Sequence, residues 1–438
     1  MTIYRARVFT PLADPFAERE QPQWLYFADG FLRVADGKIV DVGEWANLDP
    51  VLAARESVVD LGREALISPG FVDTHLHAPQ LEMIGSYGGH LLEWLNRHTF
   101  PTESRFADTT HARTVARALY TELLRNGTVT ALIFSTIHAA ATDVFFEEAE
   151  RRNFRAIIGK TMMDRNAPEN LIEDPDESWA LSRELLLKWH GRGLLRYAIT
   201  PRFAPTSSAR LLRLAGRLKE EFPDAYVQSH VAENVAENQW VAELFPDIRD
   251  YVSVYDHFGL LSDRTILAHG VHLSEAELEL LGERQTRIAH CPNSNLFLGS
   301  GLFPLTRIMS HGIPVGLGSD IGAGTSPSLF NAMADAYKVQ QVRGISLSPV
   351  ELWYLATLGG AHALSLDDVT GSLEPGKDAD FIVLDLHATP LLRMRISRTE
   401  SIEDLLAALI FLGDDRIVRQ AFIQGMELNV SEPASVMV

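Results

Sequence analysis

Between residues 71 and 320 the chain repeats one pattern eight times: a short apolar run, a few polar residues, then a stretch with helical periodicity. The runs are residues 71–77, 129–136, 155–164, 195–203, 225–230, 265–269, 286–290 and 314–320. Amphipathic segments at 112–126, 209–221 and 275–282 lie among them. Strands that alternate with helices pair in parallel and bury both faces. Eight such units predict a (β/α)8 barrel of about 250 residues. A doubly wound open sheet is the competing architecture, but no Gly-x-Gly-x-x-Gly follows the first run, so its dinucleotide-binding version is unsupported.

The two ends have a different texture. Residues 24–27, 30–34 and 38–42 read as short strands separated by Asp29-Gly30 and Asp36-Gly37, dipeptides that favour hairpin turns. Similar runs return at 379–384 and 416–423. Neither end is long enough for a β domain of its own; together they can form one.

Charge narrows the partners. With 39 basic and 58 acidic side chains the net charge is −19, which argues against a nucleic-acid surface, since that needs a basic stripe. A small neutral or cationic substrate is compatible with it, and plain solubility is the simpler explanation. A single cysteine, Cys291, precludes an intramolecular disulfide. Residues 1–13 lack the apolar core of a signal peptide, and no apolar stretch approaches the length of a membrane span. The expectation is a cytoplasmic protein.

The first run ends in Phe71-Val72-Asp73-Thr74-His75-Leu76-His77. Strand periodicity places His75 and His77 on one face, half of a transition-metal site. His230 closes the fifth run, His269 the sixth and Asp320 the eighth. In a barrel these ends share one mouth, where active sites are built. Any one of these residues alone reads as an ordinary polar strand end; five at four strand ends read as a site. His75, His77, His230 and Asp320 are the expected ligands of one divalent metal, zinc or iron, with His269 as a hydrogen-bond partner of a metal-held water. Such a metal lowers the water's pKa towards about 7. The fourth run offers no Lys, Glu or His for a second metal. His290, in Ala289-His290-Cys291-Pro292, is the reserve ligand, in a loop that otherwise shapes or packs against the pocket. Glu233, three residues past His230, is the expected proton shuttle; the alternative is a solvated acid opening a helix, like nearby Glu237.

At these residues the chain resembles the amidohydrolase superfamily and, within it, the guanine-deaminase family. The broader likeness rests on residues 69–77, the His230 and Glu233 pair, Ala268-His269, Gly318-Ser319-Asp320 and residues 376–381. The narrower one rests on His77-Ala78-Pro79-Gln80, residues 91–96 and 98–101, 163–168, 200–207 and 295–301. The resemblance implies a barrel at 68–368 and a small composite β-sandwich from 1–67 and 369–438. It also implies a homodimer that converts guanine and water to xanthine and ammonia. Hydroxide would attack C2. Glu233 would protonate N3 and help deliver a proton to the departing amine. Asp320 would bind metal and accept the water's proton, and His269 would orient or polarise that water. Gln80, Arg202 and Phe203 would hold the base, Arg202 facing the adjacent O6 and N7 acceptors.

Alternatives remain: the same chemistry on another aminated heterocycle, and a non-catalytic scaffold. The zinc deaminases built on Pro-Cys-x-x-Cys are excluded by the single cysteine.

Overall fold

The computed structural model describes residues 1–17 and 23–428. They form two compact units. One comprises Met1–Val72, Thr121–Thr130 and residues 328–428, the other Asp73–Tyr120 and Ala131–Pro327. In chain order, β1 (Thr2–Pro11), β2 (Trp24–Ala35), β3 (Lys38–Glu44) and β4 (Ser57–Pro69) come first. Then follow β5 (Phe71–His77), β6 (Thr128–Phe134), β7 (Arg155–Gly159), the short β8 (Thr161–Met162) and β9 (Leu195–Pro201). The series continues through β10 (Tyr226–Val231), β11 (Thr265–His269), β12 (Arg287–His290) and β13 (Val315–Leu317). Near the C-terminus lie β14 (Phe381–Asp385), β15 (Val418–Ile423) and β16 (Met426–Leu428).

Both chain ends contribute to one seven-stranded sheet, in the order β16-β15-β14-β4-β1-β2-β3. It folds over a shared core in which the Phe381 and Phe422 rings stack 4.2 Å apart and Tyr4 meets both edge-on. Each such pair adds about 0.5–1.5 kcal/mol beyond area burial. The fold brings the turn after β2 against the segment before β14, where the Ala379 N–H donates to Gly37 O and the Gly376 N–H to Ile39 O. Only one of the two expected Asp-Gly turns exists. Asp36 and Gly37, at φ 50° and 77°, make the β2–β3 hairpin. Asp29-Gly30 instead lies inside β2 at a bulge, where Ala28 and Asp29 face the single residue Arg7 of β1. Arg5 holds Asp29 in a two-point ion pair. A Cβ at Gly30 would come within 2.9 Å of the Val8 side chain, so this glycine serves close packing rather than a turn.

The other sheet is the barrel, in the order β13-β12-β11-β10-β9-β7-β6-β5, with β8 paired to β9. All eight runs read from the sequence are strands, and helices separate them. β5 and β6 are buried at every position, as strands covered on both faces must be. The helix Ala209–Glu221 shows how the sequence specifies its neighbours. Ser208 caps it by accepting from the Leu211 N–H, Leu211, Leu212, Leu214, Ala215 and Leu218 form its buried stripe, and Pro223 follows its end. Losing that cap costs about 1 kcal/mol. At the barrel's seam the last and first strands are joined by point contacts: Asp73 accepts from the Ser319 N–H at 3.0 Å, and the Asp320 N–H donates to His75 O at 2.9 Å. Among the described residues no helix is long and apolar enough to cross a membrane.

Candidate active site

The C-terminal strand ends deliver the side chains to one place. His75 and His77 come from β5, His230 from β10, His269 from the last position of β11, and Asp320 from just beyond β13. His77 Nε2 lies 3.0 Å from His230 Nε2. Asp320 Oδ1 lies 3.3 Å from His75 Nε2 and 3.6 Å from His77 Nε2, and its other oxygen is 4.0 Å from His269 Nε2. Two of these residues leave their strands in the left-handed region, His269 at φ 74° and Asp320 at φ 50°, as does Ala232 at φ 48° beside His230. Each such conformation costs on the order of 1–3 kcal/mol and is held by its surroundings.

Hydrogen bonds fix the imidazoles. His230 Nδ1 is 2.6 Å from Arg202 O, a carbonyl that can only accept, so the proton sits there and Nε2 presents a lone pair. His269 Nδ1 faces Asn295 Oδ1 at 3.0 Å. His75 Nε2 is buried with no hydrogen-bond partner. Burial lowers the pKa of His75, His77 and His230, keeping the rings neutral. Burial pushes Asp320 upward, but the imidazole of His75, 3.3 Å from Oδ1, and those of His269 and His77 outweigh it and hold the carboxyl well below its usual range. Neutral imidazoles and one carboxylate oxygen converging on a point form a donor set that fits a divalent cation.

Two further side chains lie near the cluster. Cys291 Sγ lies within 4.8 Å of His75 and Asp320 ligand atoms, yet burial first, then the charges of Asp320, Asp73 and Glu233, push the thiol well up. A thiol buried in this way is disfavoured as a thiolate. His290 stacks on Phe303 at 4.0 Å, and both its ring nitrogens are buried without a hydrogen-bond partner.

Glu233 is buried beside the cluster, 3.4 Å from His269 Nε2, and accepts from the Ser300 hydroxyl at 2.9 Å. Burial, then the Asp320 charge, raise its pKa to about 8. Glu237 is not the solvated acid its sequence position suggests. It is fully buried, accepts from the Glu233 and Asn234 N–H groups and from Tyr251 Oη, and caps the helix Val235–Leu244.

Across the cleft stand Gln80, Arg202 and Phe203, all buried. Leu91, Trp94, Leu95, Leu298 and Ala323 make the apolar walls. Gln80 Nε2 and Arg202 Nη1 both donate to Glu103, at 2.8 and 2.6 Å. Sequence reading missed Glu103. It ends the short helix Phe100–Glu103, reached through a π-helical turn at Leu95–Thr99, and no periodic pattern announces it; its nearness to Phe100-Pro101 is the only clue. Ser300 and Asn295 were missed as individual residues too, although both lie in the 295–301 stretch.

Buried imidazoles and a carboxylate at the C-terminal mouth of a (β/α)8 barrel, beside a proton-holding acid, are the layout of a metal-assisted hydrolase. The amidohydrolase family model matches residues 66–428, and the chain belongs to that family. It is 48% identical over 400 residues to the guanine deaminase of Escherichia coli (strain K12), covering 91% of each chain. A solved E. coli guanine deaminase superposes with a TM-score of 0.94 at 45% identity, over 98% of this chain and 99% of that one. Guanine deaminase from C. acetobutylicum with bound guanine in the active site superposes with a TM-score of 0.90 at 31% identity, over 98% and 100%.

Proposed function

We infer that this chain hydrolyses guanine to xanthine and ammonia. The observation that carries the chemistry is the convergence of His75, His77, His230 and Asp320 within a few ångströms, with Glu233 beside them and Arg202 and Gln80 opposite. The four converging residues would hold one divalent metal, zinc or iron, whose chemical contribution is to acidify a water towards a pKa of about 7.

The protein's own residues do the rest. Arg202 and Gln80 present N–H donors to the oxo edge of the base, and Phe203 and Leu95 confine it. That pose leaves C2 and N3 towards Glu233. Glu233, protonated at neutral pH, gives its proton to N3 while a C2–O bond forms. The exocyclic C2–N bond then breaks as the amine takes up a proton and leaves as ammonia. Asp320 accepts a proton from the attacking water, and His269 orients that water through Nε2. One proton of the water ends on the ring and the other on ammonia, so the equation balances. A homodimer, implied by the sequence resemblance, belongs to the same reading.

The test is xanthine formation by protein of measured metal content, beside a Glu233→Gln control. Fully metallated protein that yields no xanthine ends the proposal. The control should lose about 10²–10⁴-fold in kcat with its metal retained.

A further inference from the structure

Glu103 touches neither the metal-ligand cluster nor Glu233, yet it is buried and bonded to both polar side chains assigned to the base. Its Oε2 forms an ion pair with Arg202 in which the two side chains are 3% and 4% exposed. Its Oε1 takes one N–H of Gln80, fixing which way that amide faces. Phe100, from the same helical turn, lies under the guanidinium at 5.7 Å. Gly322 completes the clamp, because any Cβ there would fall 2.1 Å from Gln80 Oε1.

A buried guanidinium without a counter-ion would attract anions strongly. Paired with Glu103, Arg202 keeps directional N–H donors while the recognition end of the cleft carries no net charge. Guanine is neutral near pH 7. Xanthine is partly ionised there, and urate almost wholly. We propose that Glu103 is a specificity-determining positioning residue: it orients Arg202 and Gln80 and, by cancelling the guanidinium charge, favours neutral oxopurines over anionic ones, the ionised product included. This rests on the assignment of Arg202 and Gln80 to the base.

The test compares dissociation constants for urate and hypoxanthine, an anionic and a neutral oxopurine, by titration calorimetry of metal-replete enzyme. Wild type, E103Q, R202Q and E103Q/R202Q place net charges of 0, +1, −1 and 0 at the clamp. The ratio Kd(urate)/Kd(hypoxanthine) should be largest for R202Q, similar for wild type and the double variant, and at least tenfold below wild type for E103Q. Should E103Q fail to fold, the step from R202Q to the double variant must still lower the ratio at least tenfold. A ratio within twofold on Glu103→Gln in both backgrounds, with both ligands weakened alike, would leave Glu103 a merely structural residue and overturn the proposal. Failure of the underlying assignment shows separately, as an unchanged KM for guanine in R202Q.

Discussion

His77 Nε2 and His230 Nε2 face each other at 3.0 Å, and the proton of His230 is committed to Arg202 O on the far side of its ring. With Asp320 Oδ1 3.6 Å from His77, these are buried polar atoms that a shared cation would satisfy. Removing a resident metal should therefore cost both activity and stability. A metal at a thousandfold excess over its Kd contributes about 4 kcal/mol to folding. Scanning calorimetry before and after chelation should show a lower Tm, reversed by zinc or ferrous ion together with xanthine formation. Metal-free protein that melts unchanged and still turns over guanine would contradict the assignment.

How much of this was legible in the sequence follows from where each signal resides. The eight barrel strands, β5 to β7 and β9 to β13, are visible because short apolar runs alternate with helical patterns. The gathering of His75, His77, His230, His269 and Asp320 is visible because each sits at a strand end, which a barrel converts into a common location. Glu103 is invisible because a short helix after a π-helical turn carries it, and its meaning lies only in contacts with Gln80 and Arg202. Glu237 misleads because capping and burial by Tyr251 are tertiary facts. Asp29-Gly30 misleads because a glycine at a strand bulge and a glycine in a hairpin turn look alike in sequence.

Arg202 offers a planar fork in which Nη1 is held by Glu103 and the remaining N–H groups are the ones assigned to the base, and an ammonium cannot reproduce that geometry. Arg202→Lys keeps the charge beside Glu103 but loses directional bonds worth about 1.5–3 kcal/mol, roughly 10- to 150-fold in kcat/KM. Steady-state kinetics on guanine checks this. An unchanged kcat/KM would remove Arg202 from the recognition of the base.

Gly322 sits at φ +118° with Gln80 in the space a side chain would occupy. Gly322→Ala should push the Gln80 amide out of register and raise KM for guanine by about tenfold, in addition to backbone strain of roughly 1–3 kcal/mol. Gly312→Ala separates the two effects, since Gly312 has φ +72° and open space around it. That control should lower Tm and leave KM alone. Equal KM values for both variants would show that Gln80 does not depend on this contact.

Lys219 is a buried cation near the end of the helix Ala209–Glu221, and its ammonium donates to Pro223 O and Ala225 O, each at 2.7 Å. Burial pulls its pKa down to about 8 from a usual value of 10.5. Between those values the unfolded chain binds more protons than the folded one, so this group makes stability rise with pH across that window. Below pH 8 its charged form opposes folding in full, and above about pH 10 the penalty is gone. Lys219→Met deletes the titration but leaves the two carbonyls without this donor, which shifts stability by an amount that does not vary with pH. The Tm of the wild type minus that of the variant should therefore climb from pH 7.5 to pH 9.5, read by calorimetry in matched buffers. A difference that stays flat over that range would mean Lys219 titrates at its ordinary value.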